Sequence, residues 1–212
     1  MKTHTSRTLI DQGRGLRFTE SPRWHDGKLW FLDIHDKRIK TADLDGRLET
    51  AVELPFIPNA FGFRRDGSLL VGDALQRQIH RWDGKALQPL ANLADVAVFC
   101  LSDGIVDAHD RMYVGDIGYN FFDPANKPVD TCVDAVWLAN PEGKGVLRVR
   151  EGGEIVERVE LDTEGYAVML GGPQRRHLFI SGSDSHDPAE IARAPSATLR
   201  VVEVDVPGAG LP

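Results

Sequence analysis

Oxygen-bearing side chains stand immediately before apolar strands at several points of the sequence. The first is Glu20 in TESPRWHDGKLWFLD (residues 19–33), where alternating apolar residues follow. The other positions of this kind are Asn59, Ser102 with Asp103, Asp130 and Glu164. Carboxylate, amide and hydroxyl oxygens suit hard cations such as Ca²⁺ and Mg²⁺, whereas softer metals prefer thiolates and imidazoles. If these residues meet in space, the chemistry predicted for them is divalent-cation binding.

The ordinary alternative is that these residues belong to surface turns, because Asp, Asn and Ser are common turn residues. Glu20 is the exception, since Glu favours neither turns nor strands. It stands two positions before Pro22, and proline biases its neighbourhood toward extended backbone. Glu20 is therefore the strongest candidate for a functional carboxylate.

Other catalytic patterns are weak. The chain has no GxSxG elbow and no HExxH motif, and its seven histidines are scattered. GSDSHDP (182–188) contains Ser185, His186 and Asp187, but adjacent loop residues cannot form a triad by spacing alone, so a solvated loop is favoured. The glycine pairs in EGGE and LGGP lead into no helix and are typical of hairpin turns.

Charge and composition restrict the partners. The 212 residues carry a net charge of −7 and the pI is near 5.5. This argues against nucleic acid and membrane surfaces, which require a basic face, and favours small molecules or cations. Cys100 and Cys132 form no CxxC pair, so we expect inert thiols in a reducing compartment. The sequence shows no signal peptide and no membrane-spanning run, so a cytoplasmic location is predicted.

A turn–strand–Asp pattern repeats along the chain from residue 19, where we expect the folded part to begin. The copies are WHDGKLWFLD (24–33), FRRDGSLLVGD (63–73), DAHDRMYVGD (107–116), and the weaker DAVWLAN (134–140) and GPQRRHLFISGSD (172–184). Three segments read as second hairpins: RIKTADLDGRLETAVEL, QIHRWDGKALQPLANL and VLRVREGGEIVERVEL. Helical spacing is limited to one turn in AEIARA (189–194).

Four short antiparallel strands repeated every ~40–45 residues are the signature of a β-propeller blade, and this length gives about five blades. A β-sandwich is the alternative, but it has no reason to repeat the same motif. In a propeller the innermost strands line the central channel, so the oxygen-bearing residues collect on one rim. The four tryptophans are expected to pack between blades, and Trp24 is the candidate for lining the substrate mouth.

Five segments of the chain carry a family resemblance. They are ESPRWHDGKLWFLD, LSDGIVDAHDRMYVGDIGYNFF, VLRVREGGEIVERVEL, MLGGPQRRHLFI and RVVEVDVPGAG. In this order they resemble the senescence-marker-protein, gluconolactonase and luciferin-regenerating-enzyme family, from about Asp11 to Gly210. The resemblance implies an all-β fold, a six-bladed β-propeller that hydrolyses lactones or related esters with one divalent cation at the channel mouth.

The resemblance also implies roles for individual residues. Glu20 matches the metal-ligating Glu of the family's ExPRW motif. Ser102 and Asp103 stand where the family has Asn-Asp, so a hydroxyl replaces the amide. Glu20 and Asp103 are the expected metal ligands, with Ser102, Asn59 and Trp24 facing the substrate. Ca²⁺ is the expected cation, and Mg²⁺, Mn²⁺ and Zn²⁺ are alternatives.

The chain departs from the family pattern between Phe122 and Ala139. About one blade and part of another are missing, with the PNG and PDG motifs that supply the family's other two metal ligands. We therefore predict a single propeller domain over 1–212, incomplete at about five blades or an open ring, with an internal deletion near 123–135. Asp130 is the nearest carboxylate to the family's general base, but it is displaced by one residue, which in a strand reverses its face. An open blade edge would favour self-association, and fewer ligands would weaken cation binding.

Two functions of different class follow. The first is a divalent-metal-dependent hydrolase of sugar lactones or related cyclic esters, in which the cation polarises the carbonyl and Asp130 activates water. The second is a non-catalytic propeller, either a binding module or a defective fragment of a lactonase. The missing ligands favour the second function, and the retained ESPRW and SDG motifs favour the first.

Overall fold

The computed structural model describes residues 1–117, 137–140, 144–149 and 154–208. The chain is all-β. Its first ten strands are β1 (Lys2–Thr5), β2 (Arg7–Ile10), β3 (Thr19–His25), β4 (Lys28–Asp33), β5 (Arg38–Ala42), β6 (Leu48–Glu53), β7 (Pro58–Phe63), β8 (Leu69–Asp73), β9 (Gln78–Trp82) and β10 (Leu87–Asn92). They are followed by β11 (Leu101–Val106), β12 (Met112–Asp116), β13 (Trp137–Asn140), β14 (Gly145–Val149), β15 (Ile155–Glu160), β16 (Glu164–Gly171), β17 (His177–Ser183) and β18 (Thr198–Glu203).

Helical structure is confined to short segments in the described part of the chain. These are two 3-10 turns, Gln12–Arg14 and Ile34–Asp36, and one α-helix, α1 (Pro188–Arg193). The α-helix confirms the single turn predicted from AEIARA, and Asp187 caps it by accepting the N–H of Ala189 at 2.7 Å. No helix among the described residues has the length and hydropathy that a transmembrane span requires.

The strands form five sheets, which we number as blades in chain order. The first blade is β3-β4-β5-β6, the second β7-β8-β9-β10 and the third the pair β11-β12, whereas the fourth is β13-β14-β15-β1 and the fifth β16-β17-β18-β2. These sheets correspond to the five repeats, and the three predicted second hairpins are confirmed as β5–β6, β9–β10 and β14–β15. The fold is a β-propeller of the six-bladed lactonase type.

The chain divides into two compact units. The first unit comprises Met1–Val52 with Cys132–Ala209 and contains the first, fourth and fifth blades. The second unit comprises Glu53–Thr131 with Gly210–Pro212 and contains the second and third blades. The predicted single domain stays a prediction, and the predicted deletion near 123–135 lies outside the described residues.

The Asp-Gly turns behave as their sequence predicts. Asp26 and Gly27 both have positive φ, 48° and 74°, and they join His25 and Lys28 as a hairpin pair. Two consecutive positive φ angles define the tight turn whose twist matches that of the flanking strands. In the third copy Asp110 takes φ 62° in place of a glycine, and in the fifth Arg175 takes φ 56°. The repeat therefore conserves the turn's backbone shape without requiring glycine at every copy.

The N-terminal residues correct one prediction, because the folded part begins at Lys2 and not at Thr19. Strand β1 pairs in parallel with β15, and β2 pairs antiparallel with β18, so each supplies the fourth strand of a blade. His4 and Leu9 are buried there. Four-residue segments such as KTHT and RTLI are too short to predict strands by alternation. Pairing with the open edges of the fourth and fifth blades explains why they form strands.

Apolar cores lie between neighbouring sheets of each unit. In the first unit, one core contains Leu9, Leu29, Phe31, Phe179 and Val201, and a second contains Val146, Val159, Leu178, Ile180 and Val202. In the second unit, the core contains Leu70, Ile79, Ala97, Leu101 and Val106. Cys100 is buried and its sulfur is not part of a disulfide, whereas Cys132 lies outside the described residues.

In the first blade, the aspartate that closes the repeated motif positions the chain ahead of an innermost strand. In the first blade, Asp33 is fully buried and accepts the N–H groups of Arg17 and Phe18 at 3.1 and 2.9 Å. Lys40, also buried, contacts the same carboxylate at 2.7 Å. Burial raises the pKa of Asp33, although Lys40 and the two N–H groups oppose that rise. The Asp33 carboxylate therefore fixes the chain directly before the strand that carries Glu20.

Candidate functional site

The innermost strands β3, β7, β11 and β16 share a β-bulge close to their first residues. The register shifts lie between Glu20 and Arg23, Pro58 and Ala60, Leu101 and Gly104, and Gly165 and Ala167. Glu20, Asn59, Ser102, Asp103 and Glu164 therefore stand within the first three positions of these strands and not ahead of them. Bulges re-aim side chains and frequently adjoin active sites. The shared bulge therefore identifies the first residues of these strands as the candidate site.

Glu20 is half-buried in the first blade. Its Oε2 accepts the N–H of Ser21 at 2.8 Å, and Ser21 has φ 49°, an uncommon angle for a non-glycine residue. The carboxylate thus satisfies a backbone group at its own bulge. The Glu20 carboxylate therefore lies at the same end of β3 as Arg17 and Phe18, whose N–H groups bind Asp33.

Tyr166 of β16 lies in the same unit and contacts one carboxylate directly. Its hydroxyl donates a hydrogen bond to Oε2 of Glu164. Burial raises the pKa of Tyr166 far above its ordinary value, and the hydrogen bond to Glu164 and the charges of Glu164, Asp184 and Glu20 raise it further. The phenol therefore stays protonated and acts as a hydrogen-bond donor.

Aromatic rings enclose Tyr166. Phe18 meets it edge-to-face at 4.9 Å between ring centroids, and His186 lies 6.2 Å away in a similar orientation. Phe18 also contacts the ring of His35 at 5.5 Å. Burial lowers the pKa of His35, and a hydrogen bond with the His186 backbone and the charge of Asp33 oppose that shift. Phe18, just before β3, and His186 of the 182–188 loop thus approach the Tyr166 ring, and His35 contacts Phe18.

The 182–188 loop is held by its own polar groups. Ser183 Oγ donates to the carbonyl oxygen of Ser185 at 2.8 Å and lies 3.0 Å from Ser196 Oγ, while Asp187 caps α1. These bonds are structural, which agrees with the interpretation of GSDSHDP as a loop and not a triad. The sequence reasoning missed the approach of His186 and Asp184 to Tyr166, because the loop's path cannot be inferred from its composition.

In the second unit, Asn59 links two blades. Its Nδ2 donates to the carbonyl oxygen of Leu101 at 2.9 Å, beside the bulge of β11. Asp103 is exposed and accepts the N–H of Gly104 at 2.7 Å, while Ser102 is half-buried. The Asn59 amide therefore has a structural partner, and the predicted substrate contacts of Asn59 and Ser102 stay predictions.

The structure brings together only some of the predicted site residues. Glu20 and Glu164 share the surroundings of Tyr166, whereas Asp103 belongs to the other unit and Asp130 lies outside the described residues. Among residues 1–117, 144–149 and 154–208, no three His, Cys, Asp or Glu side chains are grouped so that they could hold a metal ion. The predicted pairing of Glu20 with Asp103 around a cation stays a prediction.

Trp24 occupies the other end of β3 from Glu20. It pairs with Leu29 next to the Asp26-Gly27 turn, and its ring stacks on Phe179 at 5.3 Å with an interplanar angle of 13°. This contact supports the ordinary explanation that tryptophans pack between blades. The substrate-facing role of Trp24 stays a prediction.

Comparison with known proteins identifies the family of the chain. A family model described as the SMP-30/Gluconolactonase/LRE-like region matches residues 18–130, more than half of the chain. The chain belongs to this family. The matched region contains Glu20, Asn59, Ser102, Asp103 and Asp130. No match was found among curated proteins.

One solved structure supports the fold, and two others are similar to this chain to a lesser degree. Regucalcin from Agrobacterium tumefaciens, a calcium-binding protein, aligns with a TM-score of 0.51 at 12% identity, covering 100% of this chain and 98% of that one. A gluconolactonase from Xanthomonas campestris gives 0.47 at 19%, covering 84% and 58%, and a luciferin-regenerating enzyme gives 0.37 at 13%, covering 90% and 62%. The chain thus spans about three fifths of the length of the last two proteins.

Proposed function

We propose that the chain hydrolyses sugar lactones or related cyclic esters. The observation that carries this proposal is the family match over residues 18–130 together with the position of Glu20. Its carboxylate lies at the bulge of an innermost strand, beside the Glu164–Tyr166 pair. Membership of a family named for gluconolactonase supports the reaction type.

The reaction requires few groups. Water adds to the lactone carbonyl carbon, the ring C–O bond breaks, and the departing alkoxide takes a proton to give a hydroxy acid. A carboxylate can accept the proton of the attacking water, and hydrogen-bond donors can stabilise the developing oxyanion. Asp130 remains the proposed base, and the single proton of the Tyr166 hydroxyl is already donated to Glu164.

Use of one divalent cation, Ca²⁺ first, is the finer part of the proposal. The oxygen donor of Glu20 fits a hard cation in chemical type. Among the described residues no three His, Cys, Asp or Glu side chains are grouped to hold a metal ion, and Asp130 lies outside those residues.

A non-catalytic propeller is the second candidate. The observation that favours it is the same lack of a three-ligand cluster among the described residues. In that case the Glu20 end of the strands would bind a small molecule without turning it over. The two candidates differ in a single measurable property, which is release of acid from a lactone.

Hydrolysis followed by pH-stat on the full chain separates these candidates. With a δ-lactone of a sugar acid, we expect acid release above the spontaneous rate, loss of that excess in EDTA, and its return on addition of Ca²⁺. No excess acid in any of these conditions would rule out the hydrolase. Excess acid that EDTA leaves unchanged would retain the hydrolase and rule out its cation dependence.

A further inference from the structure

We propose that Glu164 and Tyr166 form a recognition pair for the hydroxyl groups of a polyhydroxylated ligand. This inference rests on the proposed function, since it names which part of a sugar lactone the chain recognises. The roles of the two residues differ. Glu164 accepts the ligand's hydroxyl protons, and Tyr166 positions the Glu164 carboxylate.

The Glu164 carboxylate can accept further hydrogen bonds. Tyr166 donates to Oε2 of Glu164, and within the described residues no hydrogen bond reaches Oε1. An ionised carboxylate only accepts hydrogen bonds and has about four lone-pair directions. Glu164 is half-buried, so one oxygen is fixed by the phenol while the other is available to a ligand. Hydroxyl groups are the natural complement, because they donate to such an oxygen.

The surroundings suit a small polar ring. Phe18 packs edge-to-face on Tyr166, which restricts the phenol ring and with it the hydrogen bond to Glu164. Asp184 lies within electrostatic reach of the same phenol and also lines an open depression of about 410 Å³. Gln12, Ser185, Glu190, Arg193, Ala194 and Pro195 also line this depression, whereas Glu164 and Tyr166 do not. Its volume lies within the range of small-molecule sites.

The pair predicts a particular kind of selectivity. A site built to accept a hydroxyl proton discriminates strongly against a ligand that lacks the hydroxyl, because its polar group is then left unpaired. Loss of an acceptor that takes part in a charged hydrogen bond costs about 10- to 100-fold in affinity. Loss of a group that only positions the acceptor costs less.

Calorimetric titration with a lactam tests the inference without depending on catalysis, because an amide ring is not hydrolysed as an ester is. The full chain is titrated with a polyhydroxylated δ-lactam and with δ-valerolactam, which lacks the hydroxyls. For the hydroxylated lactam we expect Kd to rise about 10- to 100-fold in Glu164→Gln and about 3- to 10-fold in Tyr166→Phe. The weaker binding of δ-valerolactam should be the same in all variants.

Matched controls are available elsewhere in the chain. Glu203→Gln changes an exposed carboxylate on β18, and Tyr113→Phe removes an exposed phenol of the second unit. Neither control should change Kd. The inference is overturned if the hydroxylated lactam does not bind, if Glu164→Gln leaves its Kd unchanged, or if both lactams lose affinity equally. Selective lactam binding without lactone hydrolysis would uphold the pair and reject the hydrolase.

Discussion

The first and third blades carry the same turn–strand–Asp motif but stabilise it differently. In the first blade, Asp33 is fully buried, bound to two N–H groups and paired with the buried Lys40. In the third blade, Asp116 is exposed and accepts the N–H groups of Val98 and Phe99. The same motif therefore ends in a buried, charge-paired aspartate in the first blade. In the third blade it ends in an exposed aspartate that binds the backbone of a loop.

Apolar side chains are also more deeply buried in the first blade than around the third blade. Leu29, Phe31 and Leu32 of the first blade are fully buried. Around the third blade, Val96 is 77% exposed and Val98 63%, and Tyr113 and Ile105 are also exposed. The first blade therefore supports Glu20 with more buried apolar surface than the third blade has among the described residues.

The largest effect is expected from the buried charge pair of the first blade. Lys40→Met should lower the free energy of unfolding by about 3–5 kcal/mol, because Asp33 would remain buried without its cationic partner. Chemical denaturation measures the change. The matched control is Lys28→Met, whose exposed pair with Glu49 should contribute less than about 1 kcal/mol. Equal losses of unfolding free energy in the two variants would show that the buried pair stabilises the fold no more than the exposed pair does.

An intermediate effect is expected where β1 joins the fourth blade. Glu157 is buried and contacts His4 Nε2 at 2.7 Å and Arg148 Nε at 2.6 Å. Burial acts to raise the pKa of Glu157, but these hydrogen bonds outweigh it and hold the pKa below the ordinary 4.5. Because the folded pKa is depressed, the stabilisation is present above pH 4.5 and is lost as pH falls through the folded value.

Unfolding free energies measured from pH 7 down to pH 3 test this pH dependence. The wild-type chain should lose stability on acidification more steeply than Glu157→Gln, which has no carboxylate to protonate at that position. At pH 7 the substitution itself should cost about 1–3 kcal/mol. Parallel curves for the two chains would show that the contact does not stabilise the fold through ionised Glu157.

The smallest effect is expected on the exposed surface beside the third blade. Val98→Thr should change the free energy of unfolding by less than about 0.5 kcal/mol, since the side chain is exposed. The same change at the buried Val201 of β18 should cost about 1–3 kcal/mol, because a hydroxyl would be buried. Similar losses at the two valines would show that the region around Val98 is packed as tightly as the first unit.

The repeat made most of the fold predictable. Asp-Gly turns and period-two alternation identified the hairpins, because both signals are local and each blade reuses them. The N-terminal strands were missed, since KTHT and RTLI become strands only by pairing with distant edges. Pairing over such separations depends on the rest of the fold and leaves no local pattern.

The candidate site was predictable in part. Glu20 and Glu164 were found because acids are unusual at strand starts; Glu164 accepts the hydrogen bond of Tyr166, and the charge of Glu20 acts on the same phenol. Tyr166 was missed, because it lies in the bulge between Gly165 and Ala167, where two-residue alternation does not assign a face. Asp184 and His186 reach it from a loop whose course is set by bonds such as that of Ser183 to Ser185. Those bonds have no sequence signature.

The most direct test of the account is lactone hydrolysis by the Glu20→Gln variant, with Glu49→Gln as an exposed-carboxylate control. If the Glu20 carboxylate supports the proposed chemistry, the pH-stat rate should fall about 100-fold or more in Glu20→Gln, since loss of several kcal/mol of transition-state stabilisation has that effect. The control should keep the wild-type rate. A Glu20→Gln chain that hydrolyses the lactone at the wild-type rate would contradict the account.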